Sequence, residues 1–175
     1  MRFVVFALAA YTAAVLQTSL VPALEVRHVM PDVFALVAIL WQLTVARSGV
    51  DRAVALTPGH FIAAALVGLA YDLTSSGPLG IGAGLFAAVG YAIAWIRAKL
   101  DFDHPLMRLA IVFFATAAIA AVETLIWRLR GDTGLSWPTL IVRAASVGVY
   151  TTGFAVPIVM VLGWFRTKPL VEANL

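Results

Sequence analysis

Asp72, Glu123 and Arg143 stand within long apolar stretches, and an ionisable group in such a setting is a site candidate by default, because hydrocarbon solvates charge so poorly. Glu123 lies four residues before Trp127 and Arg143 five after Pro138. At 1.5 Å per residue each sits roughly 6–8 Å inside the nearer end of its apolar run. Asp72 ends an earlier run on the same side, so all three share one depth. Two readings stand. An ion pair of Arg143 with Glu123 or Asp72 would knit helices together. Alternatively, the three groups line a polar pocket for a ligand or for a partner's polar residue, with Tyr71 and Gln42 as further polar groups. Glu123, Trp127 and Arg130 also recur at i, i+4 and i+7, which puts them on one helical face as a docking stripe.

Other chemistry is excluded by residue type and position. There is no cysteine, so disulfides, thiol catalysis and thiolate metal sites are ruled out. His28, His60 and His104 fall on different loops at the ends of apolar runs and do not converge on a metal. No serine or threonine is flanked by a lysine or a histidine–carboxylate pair at a readable spacing. Gly80, Gly82, Gly84 and Gly90 lie inside an apolar helix, where a phosphate loop, which needs a strand before it, has no place. An enzyme is not expected, and no cofactor is implied.

The elements that position these residues are membrane spans. Of 175 residues, 62% are hydrophobic and 12% charged, with mean hydropathy +0.98; soluble domains carry about 25% charged residues. Apolar runs of the roughly 20 residues needed to cross a ~30 Å hydrocarbon layer recur along the whole length. They predict an all-α integral membrane protein, a single domain over 1–175, with spans at about 3–24, 32–47, 58–74, 78–97, 105–127 and 138–164. The N-terminal apolar run, at about 22 residues, exceeds the 7–15 of a signal peptide and reads as an uncleaved first helix. Pro22, Pro31, Pro58, Pro78, Pro105, Pro138 and Pro169 fall at or near span ends, and Pro78 is expected in the first turn of its helix. Pro157 alone lies within a span. The second and third spans are short and must stand upright or thin the bilayer.

The net charge of +3 does not signal nucleic acid, because the basic residues gather in loops on one side. With the N-terminus inside, that side carries Arg2, Arg47, Arg52, Arg97, Lys99, Arg108, Arg166 and Lys168, against Arg27, Arg128 and Arg130 outside. Both termini are therefore expected in the cytoplasm and the Asp72–Pro78 turn outside. Trp95, Trp127, Trp137 and Trp164 near span ends fit an aromatic belt. Small residues at four-residue spacing, among them Ala9–Ala13, Ala64–Gly68, Gly80–Gly84, Gly84–Ala88 and Ala117–Ala121, let helices approach closely in lipid. Such stripes pack the bundle internally or, where they face outward, dock a partner's helix.

Between Gly68 and Arg97 two of these helices fold back through a turn of a few residues. Gly68, Asp72, Pro78, Leu79, Gly80, Gly90, Tyr91 and Arg97 follow in order, after a second span opened by Pro31-Asp32. This pattern, with the chain length and span layout, resembles the MreD family of rod-shape-determining proteins; the fifth and sixth spans match by layout only. The resemblance implies a compact bundle of six transmembrane helices like the substrate-binding subunit of energy-coupling-factor transporters. It implies a non-enzymatic inner-membrane scaffold of the bacterial cell-elongation complex. It also implies binding to MreC, a single-span protein with a coiled coil, and through it links to RodA with its transpeptidase and indirectly to MreB. On this reading Gly68, Asp72, Pro78, Leu79, Gly80, Glu123, Trp127 and Arg130 are partner-binding candidates. The contrasting expectation is a solute-binding subunit of a vitamin transporter, with Asp72, Glu123 and Arg143 in its pocket.

Overall fold

The computed structural model describes residues 2–19, 21–26, 29–45, 58–75, 78–99, 104–131 and 136–167. Ser76 and Gly77 of the predicted turn, His28, and the basic residues Arg27, Arg47, Arg52 and Lys168 used to orient the chain lie outside them. The described residues are all-helical: α1 (Arg2–Ser19), a short 3-10 helix (Val21–Leu24), α2 (Val33–Val45), α3 (Pro58–Thr74), α4 (Ile81–Lys99), α5 (Pro105–Leu129) and α6 (Trp137–Thr167).

α3 with α4, and α5 with α6, form two antiparallel hairpins, and α2 packs between them while also meeting α1. The shortest helix is thus the hub. Phe34, Ala35, Leu36, Ala38, Ile39 and Leu43 of α2 are all buried, as expected of a helix apolar on every side. Its N-terminus is fixed by Asp32, whose Oδ1 accepts from the Ala35 N–H at 2.8 Å, a side-chain N-cap. Near its other end Arg97 Nη1 donates to the Gln42 carbonyl oxygen at 2.5 Å, where a cation complements the helix dipole. Around α2 the core is aromatic: Tyr71 lies edge-on to Phe34 at 6.0 Å and against Phe86 at 5.6 Å.

Two stretches, Pro105–Leu129 and Trp137–Val161, are long and apolar enough to cross a membrane, and only about a third of each is fully buried in the protein. Large apolar side chains stand exposed around the bundle, including Leu8, Leu66, Phe114, Ile141 and Met160, which a water-soluble monomer rarely tolerates. Hydroxyls within the helices are satisfied locally: Thr116, Thr124, Ser146 and Thr152 each donate to the carbonyl four residues back, at 2.7–2.8 Å.

Length mismatch among the helices shapes one end. α2 has 13 residues and α6 has 31, about 20 Å against about 46 Å at 1.5 Å per residue. The Asp32 N–H donates to Thr151 Oγ1 at 3.0 Å, so α2 begins opposite a point about 21 Å along α6 from its first residue. In the connection before it, Val26 and Val29 pair in an isolated antiparallel bridge. Tyr150 Oη donates to the Leu24 carbonyl at 2.6 Å and Gln17 Oε1 accepts from the Val33 N–H at 2.9 Å, which ties this connection to α6 and α1.

Candidate functional site

The α3–α4 turn is organised by Asp72. As α3 ends, Gly80 takes a positive φ of 97°, a conformation that L side chains rarely adopt, and this turn directs the first N–H groups of α4 back at α3. Asp72 Oδ2 accepts from Gly80 N–H at 2.8 Å and Ala83 N–H at 3.2 Å, and Oδ1 from Gly82 N–H at 2.8 Å. With 4% of its surface exposed, the carboxylate would be costly to bury alone. Three N–H donors at the positive end of a helix dipole offset that cost. Gly68, one turn earlier on the same face of α3, meets α4 backbone to backbone. A Cβ there would run into the Gly82 carbonyl oxygen and lie 2.7 Å from the Ala83 Cα.

The predicted partner-binding residues therefore separate. Gly68 and Asp72 are buried within the hairpin, Pro78 is half-buried, and Leu79 and Gly80 are exposed. Pro78 is not in a first helical turn as expected: α4 begins at Ile81, after the positive-φ glycine. On α5, Trp127 is half-buried, while Arg130 is exposed with its guanidinium 5.9 Å from the Trp127 ring. His104 accepts from the Leu106 N–H through Nδ1 at 3.3 Å, capping α5. Among the described residues no group of three or more His, Asp or Glu is placed to hold a metal ion.

Above the N-terminus of α2 lies a cavity of about 510 Å³, walled by α1, α3, α5, α6 and the Glu25–Asp32 connection. It is the space that the short α2 leaves unfilled. Gln17, Glu25, Asp32, Tyr71, Glu123, Trp127 and Arg143 are among its polar and aromatic lining. Glu123 Oε1 accepts from the Tyr71 hydroxyl at 2.6 Å. Glu123 and Arg143 both line this cavity, and Glu123, with Tyr71 and Trp127, also lines a neighbouring pocket of about 20 Å³ that holds Asp72 but not Arg143. Among the described residues no ion pair joins Arg143 to either carboxylate: Asp72 accepts from the α4 backbone, and Glu123 Oε1 from Tyr71.

Asp32, Gln17 and Glu25 were not singled out by sequence reasoning as cavity residues. Pro-Asp before an apolar run marks a helix start, so the capping role of Asp32 was readable, but its place at the cavity floor depends on a contact 119 residues away. Tyr71→Phe removes the one donor that the structure gives Glu123. It is expected to destabilise the protein by about 1.5–3 kcal/mol, the net worth of a hydrogen bond to a charged group, measured by thermal unfolding in detergent.

No protein-family model, curated protein or solved structure matches the chain.

Proposed function

We propose that the chain is a multi-pass membrane scaffold of the MreD type, with six spans and both termini in the cytoplasm, that binds the membrane helix of a single-span partner such as MreC. In this role it helps organise peptidoglycan synthesis and rod cell shape. The observation that carries the reading is the outward face of α4. Gly84, Ala88 and Ala92, at four-residue spacing, are exposed, and a Cβ added at Gly84 meets nothing within 4 Å. Other small-residue pairs are spent inside the bundle. Gly68 packs on α4, and Ala117 faces Gly148, whose added Cβ would lie 3.1 Å from the Ala117 Cβ. A stripe of small residues left open on a lipid-facing helix lets another helix approach closely, and in lipid that packing is the main source of association. The ordered residues from Gly68 to Arg97 support the family likeness.

Isolation of the tagged chain from its own membranes is expected to bring down a single-span coiled-coil protein in stoichiometric amount. Gly84→Leu, which fills the stripe without touching the fold, is expected to lower that recovery at least tenfold at unchanged unfolding temperature. Full recovery with Gly84→Leu, or no such partner from the parent chain, would overturn the reading. The cavity of about 510 Å³ favours a second reading, a solute-binding subunit; its size is that of a small-molecule pocket.

A further inference from the structure

The cavity above α2 is lined by groups of both signs contributed by separate elements. Glu123 projects from α5, Arg143 from α6, and Asp32 stands at the head of α2, with the Tyr71 and Trp127 rings between them. Glu123 Oε1 accepts from Tyr71, and Asp32 accepts from the backbone of Ala35 and Phe34 at the head of α2. A carboxylate offers about four acceptor positions over its two oxygens, so both retain capacity toward the cavity. Arg143 is exposed and makes no ion pair with either. Its planar fork of donors suits a phosphate. An aromatic face such as Trp127 beside carboxylates suits an ammonium group.

We infer that this cavity binds a small phosphate–ammonium zwitterion, the ammonium toward Glu123, Asp32 and Trp127 and the phosphate on Arg143. An aminophospholipid headgroup or a free phosphorylated amine carries this chemistry. The volume of about 510 Å³ exceeds what the headgroup alone fills, and Val147, Ala120 and Pro31 form an apolar wall against which a glycerol and ester region packs. α1 and α6, on either side, have little direct contact, and Thr151 and Tyr150 of α6 bond instead to Asp32 and Leu24. The inference goes beyond the scaffold reading and rests on the cavity alone, so loss of partner binding leaves it standing.

The test uses the purified full chain. Calorimetric titration in detergent compares phosphoethanolamine with glycerol phosphate, which carries the anion without the ammonium. Native mass spectrometry from nanodiscs compares retained phosphatidylethanolamine with phosphatidylglycerol. At least one ammonium-bearing probe is expected to bind ten times more tightly than its ammonium-free counterpart. Binding of the lipid alone identifies a headgroup site, and binding of the free zwitterion alone a solute site. Glu123→Gln and Arg143→Gln are each expected to weaken binding at least tenfold. Arg143 is exposed, so that variant remains informative if Glu123→Gln folds poorly. Absence of binding by both ammonium probes, or equal binding of their ammonium-free counterparts, would overturn the inference.

Discussion

Asp72→Ala is expected to destabilise the protein by about 3–5 kcal/mol, read as denaturant unfolding in detergent micelles, with a matching fall in membrane yield. Three backbone N–H groups at the head of α4 lose their acceptor at once, and that of Gly82 is buried. Each donor left unsatisfied accounts for about 1–3 kcal/mol, and partial relaxation of the turn keeps the total below their sum. Asp72→Asn should fall between parent and alanine. It keeps one carbonyl oxygen for Gly82 or Gly80 but sets an NH₂ group against another donor, and it removes the charge that complements the helix terminus. If Asp72→Ala unfolds like the parent and loses only partner binding, capping is not its role and a docking role for the turn returns.

What was legible before the fold was known follows from how local the cause is. Proline is best tolerated in the first turn of a helix, and Pro58 and Pro105 do open α3 and α5, although Pro157 sits inside α6. The same rule failed at Pro78 because Gly80 redirects the chain after it, and a positive φ is not visible in a residue type as common as glycine. The polar residues Gln17, Thr18 and Ser19 close α1 well before Leu24, although the apolar composition runs on. Asp72 stood out as a charge among apolar neighbours, but not the direction of its carboxylate. Sequence spacing suggests an ion pair first and a docking group second, since the donors that claim it lie 8–11 residues on, across a turn of unknown course. The shortness of α2 was readable as well. That the missing length becomes a cavity at the Asp32 end was not, because it depends on the long-range bond to Thr151.

Gly68→Val should abolish the folded hairpin, with a loss of more than about 3 kcal/mol and little or no monodisperse protein after extraction. Overpacking a core commonly costs about 1–3 kcal/mol because side chains rotate or shift to make room. At Gly68 the obstacle is the backbone of α4, the Gly82 carbonyl and the Ala83 Cα at 2.7 Å, and backbone within a helix has no such freedom. The helices must separate, and the same two residues supply N–H groups to Asp72, so separation strips the cap as well. The two substitutions are therefore not independent: a double variant should be little worse than Gly68→Val alone, the signature of one shared structural unit. Gly84→Ala is the control. A Cβ there meets nothing within 4 Å, and alanine in a helix is favoured over glycine by about 0.5–1 kcal/mol, so this variant should unfold at or above the parent's temperature. Should Gly68→Val prove as stable as Gly84→Ala, the close crossing of α3 and α4, and with it the turn capped by Asp72, would be wrong.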